Sequence, residues 1–354
     1  MHSDMEPNHE RSLIPRPSHE LIVARAPGNR ILAGMAVETL ALAREEAHSR
    51  AEDKTAVTID LDALVAAAKK LYDGKGMSDR NIRALKLFRQ AAEAGNRIAQ
   101  AWVGDMNYYS EGTPQDYAEA LKWYRKSAEQ GDAMAQHNVG FCYWLGRAVT
   151  QDYMEAVKWY QKSAEQGYAS AQINLGACYR DGKGVPQNYE EAVKWFRKAA
   201  EQGSANGQNF MGTCYAKGTG VPQDYAEAAK WVAKAAKQGH ALSQFNLGYC
   251  YAKGEGVPHD RMEAIVWYRK AAEQGIAPAQ LSLGLCYHYG QGVPVDMIEA
   301  YKWYQLSAEQ GDESARQHVA SLADVMSPAE LKKAEGLCRE FRDTHPRKQR
   351  DATP

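Results

Sequence analysis

The sequence predicts an all-α fold, a solenoid of stacked helical hairpins, on three observations. One phrase returns six times, as KWYRKSAEQG, KWYQKSAEQG, KWFRKAAEQG, KWVAKAAKQG, VWYRKAAEQG and KWYQLSAEQG, always 36 residues apart and without an insertion. Apolar residues inside each copy fall at helical spacing in two separate stretches. Glycine and proline separate those stretches, and a glycine closes each copy. A constant period of this size marks helical units that bury their faces against neighbouring copies rather than in one closed core.

Residues 1–30 read as a flexible arm: Met1 to Glu20 is polar, contains Pro15 and Pro17, and has no basic stretch followed by an apolar core, so no secretory signal is expected. Residues 31–59 hold a helical segment, with Leu32, Met35, Ala36, Leu40 and Ala43 at helical spacing, which either caps the solenoid or binds something. Seven 36-residue units follow over residues 60–311. The first is degenerate, with Leu87 where later units carry Trp and Met77-Ser78 where they carry Val-Pro, as expected of a terminal repeat with one face lacking a neighbour.

Each inner unit contains two helices. The first shows Ala135, Val139, Cys142 and Tyr143 at i, i+4, i+7 and i+8; the second shows Tyr117, Ala120, Leu121, Tyr124 and Ala128 on one face. Second helices open with a capping-box spacing, as in Asp116 and Glu119, Asp152 and Glu155, or Asp296 and Glu299. The glycine after each Ala-Glu-Gln suits the left-handed position past a helix end, and Gly-x-Gly-Val-Pro, as at Gly182 to Pro186, ends the first helix and aims the second. Residues 312–342 read as a helical cap whose last helix opens at Ser327-Pro328-Ala329-Glu330, and residues 343–354, with Pro346, Arg347, Lys348 and Arg350, as a disordered tail.

Charge and motifs narrow the function. Lys plus Arg number 43 against 44 Asp plus Glu, so nucleic acid is not the expected partner. No run approaches the roughly 18 apolar residues of a membrane helix, and the cytoplasm is the expected location. Gly182-Lys183-Gly184-Val185-Pro186 lacks the residues that complete a phosphate loop, and the ten histidines form no HExxH pair. Cys142, Cys178, Cys214, Cys250 and Cys286 stand 36 apart with Cys338 outside the series, which strings them along the solenoid as small apolar seam residues rather than gathering them round a metal. No catalytic residue, metal or cofactor is expected.

The recurrent pattern Ala-x-x-Gln-x-x-Leu-Gly-x-x-Tyr, then Gly-x-Gly-Val-Pro-Gln-Asp-Tyr, then Ala-x-x-Trp-Tyr and Ala-Glu-Gln-Gly, resembles the Sel1-like repeat of the tetratricopeptide-like superfamily. The resemblance covers residues 60–311 and implies a right-handed superhelix and an adaptor role in signalling, protein quality control or bacterial contact with hosts. Some cysteine-rich Sel1-like proteins carry a disulfide in each repeat and bind or hydrolyse β-lactams; with one cysteine per repeat this chain lacks that feature.

In tetratricopeptide relatives the first helix of each pair lines a concave groove. Projecting that pattern places Tyr108, Tyr109, His137, Phe141, Trp144, Arg180, Asn209, Phe245, Tyr249, Lys253, His288 and Tyr289 on a partner-binding face, polar in the middle and aromatic at both ends. The expected function is a non-enzymatic scaffold or adaptor holding a peptide or helix there. The alternatives are an exported bacterial effector or host-interaction factor on the same fold and a β-lactam-binding member.

Overall fold

The computed structural model describes residues 60–345, which form sixteen helices and, among the described residues, no strand. The expected arm over residues 1–30, the segment over 31–59 and residues 346–354 of the expected tail lie outside them. The described chain divides into two compact units, residues 60–188 and 189–345.

The first unit holds α1 (Leu61–Leu71), α2 (Asp79–Glu93), α3 (Arg97–Tyr108), α4 (Tyr117–Glu129), α5 (Ala133–Leu145), α6 (Tyr153–Glu165) and α7 (Ala169–Asp181). The second holds α8 (Tyr189–Glu201), α9 (Ala205–Lys217), α10 (Tyr225–Lys237), α11 (Ala241–Lys253), α12 (Arg261–Glu273), α13 (Ala277–Tyr289), α14 (Met297–Ala308), α15 (Glu313–Ala323) and α16 (Pro328–Thr344). Within each unit each helix as far as α15 packs on its neighbours in sequence, and α16 folds back onto α14, so the units are solenoids of stacked hairpins.

The helix starts show why these residues form these elements. Asp116 accepts from the backbone N–H groups of Ala118 and Glu119 at 2.9 Å each, and Asp152, Asp224, Asp260 and Asp296 cap their helices in the same way. The capping glutamate departs from expectation. A complete reciprocal box forms at Ser327 and Glu330, whereas Glu119 accepts from the Trp123 indole N–H at 2.7 Å and Glu299 from Trp303 at 3.0 Å. Indole i+4 is a better donor for these carboxylates than the cap backbone, because burying the Trp ring would otherwise leave its N–H unpaired.

Two kinds of glycine set how close the helices approach. Inside hairpins, a Cβ on Gly140 of α5 would sit 2.9 Å from the Tyr160 ring of α6 and 3.0 Å from the Ala156 carbonyl. Between hairpins, Gly184 has φ +74° and a Cβ there would fall 2.2 Å from the Tyr153 carbonyl. Neither contact leaves room for a side chain, which is why the Leu-Gly and Gly-x-Gly phrases recur with the period.

Buried glutamines clip successive hairpins together. Gln136 on α5 donates to the Ala128 carbonyl at the end of α4 at 3.2 Å and accepts from Gln166 at the end of α6 at 2.7 Å. Gln100, Gln244 and Gln280 repeat both bonds with partners at the same sequence offsets. Each clip satisfies a helix-terminal carbonyl that the helix itself cannot.

Candidate functional site

The first helices present one face to the second helices of their own hairpins and end at the turn glycines. The expected site residues on these helices divide into two sets. Tyr108, His137, Phe141, Trp144, Asn209 and Phe245 are buried, contrary to their expected place on a ligand-accessible face. The reason is the closeness of hairpin packing: at helical spacing a residue one position off the outer edge already meets the next hairpin.

Each buried residue has a structural partner. The Tyr108 ring lies edge-on to Tyr109 at 4.8 Å and Tyr117 at 5.0 Å, and its hydroxyl accepts from Arg147, whose guanidinium covers the ring. Trp144 packs on Tyr153 at 4.7 Å with the Lys183 ammonium 5.3 Å from its ring. Phe245, 1% exposed, lies 5.8 Å from Tyr268, and the Asn209 carbonyl oxygen accepts from the Ser243 hydroxyl at 2.8 Å.

His137 is the centre of a polar line that sequence reasoning missed. Asn138 donates to Asp105 at 3.0 Å, beside the Tyr124 hydroxyl at 2.7 Å. The Asn138 carbonyl oxygen lies 3.1 Å from His137 Nδ1, and the Asn174 amide lies 2.9 Å from Nε2. Since the carbonyl only accepts and the amide donates, the network assigns the proton to Nδ1. Burial pushes the imidazole pKa down to about 4, opposed by the Asn138 hydrogen bond, so the ring is neutral at physiological pH. Asparagine at 138, 174 and 246, one repeat or two apart, was the available signal.

Tyr109, Arg180, Tyr249, Lys253, His288 and Tyr289 reach solvent in whole or part. Tyr109 is 36% and Tyr289 57% exposed, and Leu145, at the same position one repeat after Tyr109, is 38% exposed. Arg180 pairs bidentately with Asp181 at 2.7 and 2.9 Å. His288 lies parallel to Tyr289 at 4.4 Å, 3.2 Å from the Tyr304 hydroxyl, and faces His318, whose pKa is lowered by burial and by the His288 charge.

The chemistry of the remaining groups is subdued. The cysteines form no disulfide among the described residues, and burial pushes Cys142 and Cys178 up to about 12 and Cys250, Cys286 and Cys338 up to about 11, which keeps these five as thiols rather than nucleophilic thiolates. Among the described residues no three His, Cys, Asp or Glu side chains group to hold a metal ion, and no helix is long and apolar enough to cross a membrane. At the ends of the first helices each unit offers contact: Tyr109 and Leu145 in the first, Tyr249, Lys253 and Tyr289 in the second.

Comparison with known proteins places that surface in context. The Sel1 repeat matches seven consecutive segments, residues 62–96, 97–132, 133–168, 169–204, 205–240, 241–276 and 277–312. The crystal structure of a Sel1 repeat protein from Oxalobacter formigenes is 32% identical, with a TM-score of 0.62 over 69% of this chain and 96% of that one. A protective antigen present in uropathogenic Escherichia coli strains, displaying an SLR fold, is 25% identical over 80% of this chain and 84% of its own, with a TM-score of 0.44. No curated protein matches the chain.

Proposed function

The chain belongs to the Sel1 repeat family, whose members generally mediate protein–protein interactions and are generally non-enzymatic, and from that premise we propose that it is a scaffold or adaptor in the cytosol that holds a peptide or helix of a partner protein against the ends of its first helices. One observation carries this reading. Successive repeats place Tyr109, Leu145, Asp181, Lys217, Lys253 and Tyr289 at the same position, and all but Asp181 are exposed. Three positions earlier on the same helices the side chain stays apolar, Met106 and then five cysteines, whereas this position changes from aromatic to aliphatic to charged. It is exposure together with this variation that frees the position from packing duty, and exposed aromatic anchors are the groups that contribute most to interface energy.

A crosslinking pull-down from the native cell lysate tests the reading, comparing wild type with the combined Tyr109→Ala, Lys253→Ala and Tyr289→Ala variant at matched thermal stability. A protein lost only from the variant supports an adaptor acting through these helix ends. An unchanged set of partners sinks it and moves the contact to another surface.

A further inference from the structure

One junction between hairpins has the arginine of a contact made at three others but lacks its tyrosine, and the gap lies on a second helix. In three hairpins an arginine of the second helix is held by a tyrosine of the following first helix. Arg125 donates to the Tyr143 hydroxyl at 2.9 Å with its guanidinium 5.8 Å from the ring; Arg197 and Tyr215 pair at 3.1 and 5.9 Å; Arg269 and Tyr287 form the same bond, 5.7 Å from the ring. Tyr287 and Val293 also pack on the cluster that contains Ile265, so ring and valine together cover that stretch of α12.

Whole-repeat shifts carry Arg269, Tyr287, Val293 and Ile265 back to Arg89, Asn107, Thr113 and Leu85. Asn107 is too short to reach Arg89 and turns inward, its amide donating to the Val103 carbonyl at 2.7 Å. Thr113 is a poorer apolar cover than valine. Over this stretch of α2 lies an open cavity of about 560 Å³, lined among others by Ile82, Leu85, Lys86, Arg89, Glu93 and Thr113. Ile82 is 44% exposed, and neither Lys86 nor Arg89 has a hydrogen bond or ion pair among the described residues. An apolar floor with a few polar groups at its rim, at this volume, is the form of a ligand site.

We propose that this cavity is a docking socket for a tyrosine side chain of a partner protein, which stands to Arg89 as Tyr143, Tyr215 and Tyr287 stand to Arg125, Arg197 and Arg269. Two facts select that occupant. The repeats themselves show which side chain the site accepts, a phenol ring on an apolar floor with its hydroxyl toward arginine. Residues 1–59 and 346–354 do not supply it, because they contain no Tyr, Phe or Trp. The socket lies on a second helix, so it stands or falls separately from binding at the first-helix ends.

The test uses p-cresol, the side-chain analogue of tyrosine, titrated into the full chain and followed by methyl NMR. The expected result is saturable shifts confined to Ile82, Leu85 and Thr113, with toluene, which lacks the hydroxyl, binding about fivefold more weakly. Arg89→Ala, an exposed change with no native partner to lose, should remove that preference. Asn107→Tyr should supply the ring from within and abolish the shifts while raising the melting temperature. Shifts away from this cavity, shifts that do not saturate, or p-cresol and toluene binding alike would overturn the proposal. So would concentration-dependent self-association by sedimentation that Asn107→Tyr removes, since the socket would then hold a tyrosine of a second copy.

Discussion

Gln166 donates its side-chain amide to Oε1 of Gln136, thirty residues earlier, and Gln136 donates in turn to the Ala128 carbonyl. One buried side chain thus ties the ends of two successive second helices to the first helix between them. Its removal strands one donor and one acceptor at once.

Gln136→Ala should therefore cost about 1–3 kcal/mol, the penalty of leaving buried polar groups unpaired. Urea denaturation measures it directly. An unchanged midpoint would mean that water replaces the clip and that the glutamines are incidental to stacking.

Trp144→Ala should destabilise the fold by roughly 3–5 kcal/mol, as a buried aromatic truncation does. This reverses the expectation from its sequence position, under which the same change would spare the fold and weaken a partner. Near-native stability of the variant would return Trp144 to the ligand-accessible set.

The turn after α5 holds Ala148 at φ +60°, where most other repeats have the second glycine of Gly-x-Gly. Ala148→Gly should stabilise by roughly 0.4–1 kcal/mol, because a left-handed backbone strains any residue with a Cβ. Gly184→Ala should do the opposite and more, since its Cβ would collide with the Tyr153 carbonyl as well. Equal effects of both changes, read from thermal melts, would contradict the close approach.

Acid should weaken the first unit through His137. Its pKa is near 4 when folded and 6.5 when exposed, so between these values the unfolded chain binds a proton that the folded chain refuses. Stability falls as pH drops from about 6.5 to 4 and this contribution levels off below, for a total of about 3 kcal/mol. Denaturation midpoints for His137→Gln should start lower but vary less across that window; an equally steep pH dependence would place the titration elsewhere.

Much of this architecture was legible in the sequence. The period located the hairpins, and Asp116 or Gly131 marked their ends, because capping and positive φ are properties of one residue in its local backbone. Which of Tyr108 and Tyr109 faces solvent was not legible. Adjacent residues on a helix end differ by about 100° in direction, and the hairpin that covers one of them is 36 residues away. The turn of Glu119 toward Trp123 was hidden for a similar reason: spacing three permits the box, while the nearby indole decides against it. Arg89 shows the converse, a site visible only when Asn107 and Thr113 are set against Tyr287 and Val293 in another copy.

The glutamine clip also limits how such a chain can change in length. Each clip joins residues a fixed thirty apart and grips the neighbouring hairpin as well, so one residue added inside a helix would rotate the gripping side chains out of reach on both sides. Whole hairpins, by contrast, bring their own clip and leave every other one intact. Growth and loss are therefore quantised: such an array can lengthen its surface by duplication and recombination of complete units, with copy number rather than loop length as the heritable variable.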